Sequence, residues 1–286
     1  MIDVTDLRFT YPGHDRPALD GISFRVGPGE IFGLLGSSGA GKSTAIKVLV
    51  GFLKGYEGRV KVLGREARDA DADLRERIGV AFESPGFYAK FTAVENLRYF
   101  GAMYRRKGKM EEPFRLLERA GLAEAAHKRV GEFSKGMKIR LGVCRAMMHD
   151  PDLLILDEPT SGLDPSRTRM IREWIREEKE RGKVILLATH NMKLAEDLCD
   201  RVAFLHDGRF VLEDEPRRLM LRYGRKTVRV EYISKGKPQS AEFPLEGLGR
   251  NAGFLRVLNE ENVERMHTQE TTLEEIFVRM TGRKRA

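Results

Sequence analysis

The chain has 286 residues, 51 Lys and Arg against 43 Asp and Glu, and a formal net charge of +8, enough length for one or two domains with a full core. A hydrophobic share of 41% and a charged share of 33% exclude a collagen-like or disordered polymer. No apolar run approaches the roughly 20 residues of a membrane span, Met1–Asp6 has no secretory layout, and Cys144 and Cys199 form no disulfide framework, so the sequence predicts a soluble cytosolic protein.

The first 30 residues carry short strands and turn signals (Tyr11-Pro12-Gly13, Gly27-Pro28-Gly29), as an antiparallel layer does. Short apolar strands then alternate with helical stretches to about residue 220. Ile31–Leu35, Ile78–Phe82, Leu153–Asp157 and Val184–Ala188 read as buried parallel strands. From Ser84 to Phe133 the strands stop, which predicts a helical insertion over about 84–133. Ile139, Gly142, Val143, Ala146 and Met147 then fall on one face of an amphipathic helix. Past about Leu221 the pattern changes: Val228–Ile233 alternates as a strand and Thr271–Met280 reads as a closing helix. The expected division is an α/β domain over 1–221 and a small α+β appendage over 222–286.

The excess positive charge is patchy. Residues 98–109 hold Arg98, Arg105, Arg106, Lys107 and Lys109 with no acidic residue, and 217–229 hold six basic residues and again no acidic one. Each patch reads either as a solvated face or as a contact for anionic lipid head groups or nucleic acid.

Residues 36–44, Gly36-Ser37-Ser38-Gly39-Ala40-Gly41-Lys42-Ser43-Thr44, form a complete G-x-x-x-x-G-K-[ST] loop. An apolar strand precedes it, and an amphipathic helix with Ala45, Ile46, Leu49, Val50 and Leu53 follows. The glycines let successive N–H groups face one anion, and the helix N-terminus adds partial positive charge. Lys42 can bridge β- and γ-phosphates and the Ser43 hydroxyl can bind Mg²⁺, so the loop is expected to bind a nucleoside triphosphate. Leu153–Asp157 then runs as a buried strand into Asp157 and Glu158. Asp157 is placed to hold Mg²⁺ through water, and Glu158 to polarise an attacking water as general base.

With these motifs, Ser161-Gly162-Leu163-Asp164, His190, and Phe133-Ser134-Lys135-Gly136-Met137 ahead of a helix, the sequence resembles the ATP-binding subunit of ABC transporters over about residues 1–220. The resemblance implies a P-loop NTPase core with an antiparallel β layer and a helical insertion. It makes Ser161–Asp164 the D-loop, His190 the switch histidine, Phe133–Met137 the signature and Tyr11 the aromatic that stacks on adenine. Each also has a plainer reading. Tyr11 offers a flat π face but sits in a turn, His190 can report the γ-phosphate or cap a helix, and Asp164-Pro165 is a helix start. Ser134 is a good N-cap residue, and Gly136 allows close backbone approach to a phosphate. The signature would thus be a second anion site in one chain. The family resolves this by packing two ATP-binding domains head to tail, each signature closing over the γ-phosphate held by the other.

Two departures from the family pattern stand out. Glu83 occupies the place of Gln; it should still ligate Mg²⁺, and its charge predicts a steep Mg²⁺ dependence of ATP binding that Glu83→Gln would relieve. In the signature, Phe133, Lys135 and Met137 replace the usual residues, and Lys135 either adds charge near the γ-phosphate or points to solvent. The resemblance implies an ATPase with ATP and Mg²⁺, working as a pair of ATP-binding subunits, a homodimer by the simplest reading. It would drive a separate transmembrane permease from the inner face of the cell membrane, with no nucleic acid partner. The tail helix Thr272–Gly282 is similar to that of ABC-2-type exporters, which favours export. The alternative is a non-transport ABC-type ATPase resembling a cluster-assembly scaffold.

Overall fold

The computed structural model describes residues 1–105, 110–224, 226–269 and 271–282. Arg106, Lys107, Lys109 and Arg225 of the two basic patches lie outside the described residues. The chain divides into two compact units, Met1–Glu215 and Pro216–Ala286, a boundary ahead of the Leu221 at which the sequence pattern changes.

The first unit opens with an antiparallel sheet. Its strands are β1 (Ile2–Phe9), β2 (Leu19–Val26), β4 (Glu57–Val62) and β5 (Arg65–Glu66), in the order β2-β1-β4-β5. Ile2, Val4, Leu7 and Phe9 are all buried on β1, although strict alternation would expose Leu7 and Phe9. A bulge at Asp6, where φ is +48°, shifts the register between Val4 and Leu7 and restores the apolar phase. Gly58 lies opposite, where a Cβ would come within 2.2 Å of the Asp6 carbonyl.

The second sheet is built from β3 (Ile31–Leu35), β6 (Ile78–Ala81), β7 (Leu153–Asp157), β8 (Val184–Thr189), β9 (Arg201–His206) and β10 (Arg209–Asp214). Their order is β10-β9-β3-β8-β7-β6, with all but the β9–β10 hairpin parallel. Every residue of β3, β7 and β8 is buried, which is why these strands read as unbroken apolar runs rather than alternating ones. Burying each Leu or Ile contributes about 1.5–3 kcal/mol, so this sheet is the mechanical base of the unit. Because β3, β8, β7 and β6 are neighbours and parallel, their carboxyl ends deliver four loops to one edge.

The helices are α1 (Lys42–Leu49), α2 (Ala72–Arg75), α3 (Ala93–Ala102), α4 (Pro113–Arg119), α5 (Lys135–Met147), α6 (Pro165–Glu180) and α7 (Met192–Leu198). Helix α1 is shorter than its apolar stripe suggests: it ends at Leu49, and Gly51 turns the chain at φ +74° before Leu53. Between 84 and 133 the described structure is α3, opened by a capping box of Thr92 and Glu95, then α4 and single 3-10 turns. Gly79 lets α5 lie directly on β6, since a Cβ there would meet the Ala146 carbonyl at 2.0 Å.

Where α5 ends, His149 is 4% exposed and stacks on Tyr104 at 4.0 Å between ring centroids. Burial pushes its pKa down to about 4. Because the unfolded imidazole titrates near 6.5, the folded protein resists a proton that the unfolded chain accepts. The contribution of His149 to stability is therefore full above about pH 6.5 and is lost as pH drops toward 4, by up to about 3 kcal/mol. In thermal melts between pH 7 and 4.5 the native chain should lose more melting temperature than His149→Gln, which lacks this one contribution.

The second unit contains α8 (Pro216–Tyr223), β11 (Thr227–Ser234), β12 (Lys237–Pro244), α9 (Ala252–Glu260), β13 (Asn262–Gln269) and α10 (Leu273–Thr281). The strands form an antiparallel sheet in the order β12-β11-β13. Val228 and Val230 on β11 meet Phe254 and Val257 on α9 in a small core, and α10 packs against α8.

Candidate active site

The loop Gly36–Gly41 joins β3 to α1 at the carboxyl edge of the parallel sheet. Two of its glycines are required by contact: a Cβ on Gly36 would lie 2.4 Å from the Leu205 carbonyl, and one on Gly41, at φ +113°, 2.5 Å from the Ala18 carbonyl. Gly41 is also the N-cap of α1 and offers no side chain to its first turn, whereas α3, α5, α6 and α7 are capped by Thr92, Ser134, Asp164 and Asn191. The donors at the start of α1 are thus left for an anion. Lys42 is 8% exposed, and its Nζ donates to the Gly36 carbonyl at 2.6 Å and the Ser37 carbonyl at 3.1 Å. Burial lowers its pKa, against the pull of Glu158, Asp157 and Glu83.

Beside the loop, Ser43 Oγ lies 3.5 Å from Asp157 Oδ2, the long limit of a hydrogen bond. Burial, aided by Glu158 and Glu83 and opposed by Lys42, pushes the Asp157 carboxyl up to about 6. Burial leads that shift and the carboxylates of Glu158 and Glu83 add to it, and a hydroxyl with hard carboxylate oxygens suits a small divalent cation. Among the described residues no three His, Cys, Asp or Glu side chains converge into a metal site. The protein donors thus fit a cation that arrives with a polyphosphate supplying the rest of its shell.

Glu158 follows β7 in the left-handed region, at φ +51°, while its N–H continues the sheet to the Ala188 carbonyl at 2.9 Å. A non-glycine residue held there stores strain, as residues at reacting centres often do. Its carboxylate accepts from Thr189 Oγ1 on Oε2 at 2.8 Å and from the His190 N–H on Oε1 at 2.8 Å. His190 Nδ1 stands 2.6 Å from the same Oε1. A carboxylate only accepts, so Nδ1 carries the proton and Nε2 is free for another partner. His190 does not cap α7; Asn191 does.

Ser134 accepts the Met137 N–H at the start of α5. Gly136 has a nearer reason for lacking a side chain than an approaching phosphate: a Cβ would meet Leu163 Cδ2 at 3.0 Å and the Gly162 carbonyl at 3.1 Å. Asp164 caps α6 through the Arg167 N–H, with Pro165 in the first turn. Tyr11 donates or accepts at Thr44 Oγ1 across 3.2 Å, tying its ring to the first turn of α1. Glu83, just beyond β6, pairs with Lys135 Nζ at 3.2 Å. Lys135 thus has a partner at its exposed end, and its charge partly offsets that of Glu83.

The site therefore unites Lys42, Ser43, Asp157, Glu158, His190 and Glu83 along one edge of one sheet. Sequence reasoning missed Thr189, fully buried, which holds Glu158 Oε2 and also accepts the Asn191 N–H at 3.0 Å. Its signal was weak: a polar residue closing an apolar strand. Thr189→Val keeps the shape but removes the hydroxyl, so kcat should fall about ten-fold with KM little changed. Steady-state kinetics checks this.

Comparison with known proteins gives the same picture. The family model described as "ABC transporter" matches residues 19–161, and one described as "Fluoroquinolone efflux ABC transporter C-terminal domain" matches 226–270. A fluoroquinolones export ATP-binding protein of Mycobacterium tuberculosis is 47% identical over 285 residues, covering 99% of this chain and 94% of that protein. A Nod factor export ATP-binding protein I of Burkholderia pseudomallei is 36% identical, covering 94% of each. Among solved structures, an ATP-binding subunit of an ABC transporter superposes with a TM-score of 0.69 at 30% identity, over 78% of this chain and 93% of that one. A dimeric ATP-binding cassette in a post-hydrolysis state with ADP and Pi gives a TM-score of 0.67 at 26% identity, over 75% and 98%.

Proposed function

The chain belongs to the ATP-binding, ATP-hydrolysing subunits of ABC transporters, and on that footing we propose that it powers drug export through a separate permease as a head-to-tail homodimer. The observation that carries this is the single sheet edge on which a phosphate loop, a cation-suited carboxylate and an oriented Glu158–His190 pair meet. Lys42 and the N–H groups of Gly36–Thr44 hold the β- and γ-phosphates, and Tyr11 lies under the adenine. Bound Mg²⁺, held through Ser43 with Asp157 and Glu83, would neutralise the phosphate oxygens.

Glu158 then acts as the base. Oε1 already takes two contacts from His190, whereas Oε2 takes one from Thr189, so Oε2 retains a lone pair for the attacking water. The water oxygen forms its bond to the γ-phosphorus as its proton moves to Oε2, and the bond from that phosphorus to the bridging oxygen breaks to leave ADP. With Nδ1–H held by Glu158, His190 donates from Nε2 to the γ-phosphate as the imidazolium, both ring nitrogens then carrying protons. Ser134 and the backbone at Gly136 close over the γ-phosphate of the other subunit, and Asp164, whose carboxylate caps α6, lines the seam between the two copies.

Among the described residues no helix is long and apolar enough to cross a membrane. The proposed station is peripheral, on the inner face of the cell membrane beside the permease, with no nucleic acid partner. Fluoroquinolone-like drugs are the proposed cargo class, supported by the name of the relative and by the family matched at 226–270. No observation favours the non-transport alternative.

The test is a pull-down of tagged Glu158→Gln with ATP from detergent-solubilised membranes of the native cell. Recovery of a multi-span protein in equal amount, and drug accumulation in cells lacking the pair, is the expected result. Recovery of soluble proteins alone, from membranes in which known complexes survive, would overturn it.

A further inference from the structure

The two departures from the family pattern, Glu83 and Lys135, carry opposite charges and touch. Lys135 Nζ lies 3.2 Å from Glu83 Oε1, and both side chains are about half exposed. Lys135 is the first residue of α5, a helix with no acidic residue in its first turn, so this cation stands at the positive end of a helix dipole, where it opposes helix stability. A residue placed against its own helix invites a reason outside the helix. Its stem also runs beside the loop before α6, where a Cβ on Gly162 would sit 4.0 Å from Lys135 Cδ.

The segment that begins with Glu83 follows α5 along its length. Gly142 approaches Pro85 so closely that a Cβ would lie 3.3 Å from its ring, and Arg145 donates to the Gly86 carbonyl at 2.8 Å while its guanidinium covers Phe87. The far end of this strap is therefore fixed by packing, and its near end by one exposed ion pair. Exposed pairs are weakly held and readily exchanged. The charge of Glu83 also acts on Asp157 and Lys42, so the cation position lies within its electrostatic range.

We propose that Lys135 is a nucleotide-contacting residue that works by charge exchange between the two composite sites. In the single chain its ammonium is held by Glu83. In the closed dimer Glu83 turns to the cation of its own chain's nucleotide, and the released Lys135 bonds the γ-phosphate held by the second copy. Each chain's nucleotide thus frees a cation for the other site, which couples the two reciprocally. The proposal rests on the head-to-tail reading above and adds to it a residue that the family's glycine cannot supply.

The experiment uses the full chain carrying Glu158→Gln, so that ATP is bound but not turned over, and reads dimer fraction by sedimentation as Mg²⁺–ATP is raised. Lys135→Gln should move the midpoint up by about ten-fold, within the usual range of coupling between sites, and Lys135→Arg should restore it. Glu83→Gln, which still offers an oxygen to a cation, should lower the midpoint by releasing Lys135. Adding Lys135→Gln to it should cancel that gain. A folded Lys135→Gln protein, judged by its melting temperature, that dimerises at the original midpoint overturns the proposal. Absence of any ATP-driven dimer with Glu83 and Lys135 intact, in a chain that binds ATP, overturns the head-to-tail reading and this proposal with it.

Discussion

Glu158→Gln should lower kcat by about 10²–10⁴, the usual contribution of a general base, while ATP binding survives. The site explains why the damage is so confined. Glu158 is 6% exposed and its carboxyl lies among donors from Thr189 and His190. A carboxamide fits the same space: its oxygen takes the two His190 contacts and its amino group turns to the Thr189 hydroxyl, which can accept as well as donate. Shape and neighbours are kept, and only the lone pair on Oε2 that receives the proton is lost. ATP should therefore accumulate unhydrolysed in a closed dimer. Single-turnover kinetics with labelled ATP, alongside sedimentation, checks both halves; turnover within a few-fold of the native protein would remove Glu158 from the chemistry.

Lys42→Ala is the second large effect, and it acts on binding. Its ammonium can give the phosphates charge-assisted bonds, each worth about 1.5–3 kcal/mol, so ATP affinity should fall about 10- to 100-fold. The melting temperature without nucleotide is expected to change little, because burial disfavours the charged lysine while its removal also leaves the Gly36 and Ser37 carbonyls without their donor. Added Mg²⁺–ATP, which stabilises a binding protein in proportion to the logarithm of its concentration over Kd, should produce almost no further rise. A large nucleotide-dependent rise in Lys42→Ala would contradict the placement of this side chain on the phosphates.

The elements richest in unbroken apolar residues were the most legible. β3, β7 and β8 bury both faces, so composition alone marks them, and the loops at their ends carry residue types with few other uses. What escaped the sequence is what depends on contact. The bulge at Asp6 leaves no local signal, because its evidence is Gly58 on another strand. Gly136 reads as an opening for phosphate until Leu163 is seen against it. Glu83 and Lys135, 52 residues apart, are two separate oddities in the sequence and one ion pair in space. Thr189 is an ordinary strand end until the Glu158 carboxylate reaches it. Periodicity finds faces, and spacing finds loops, but neither finds which side chains meet.

The central claim is that each ATP site is shared between two copies, and mixing two crippled proteins tests it most directly. Lys42→Ala disables the phosphate loop and leaves the signature intact; Ser134→Arg blocks the signature and leaves the phosphate loop intact. At ATP concentrations no higher than the native Kd, each alone should be nearly inactive. In a mixed head-to-tail dimer one site combines the intact loop of one copy with the intact signature of the other, so an equimolar mixture should regain up to about a quarter of the native turnover. A mixture as inactive as its components, from proteins that still exchange subunits, would contradict the shared site.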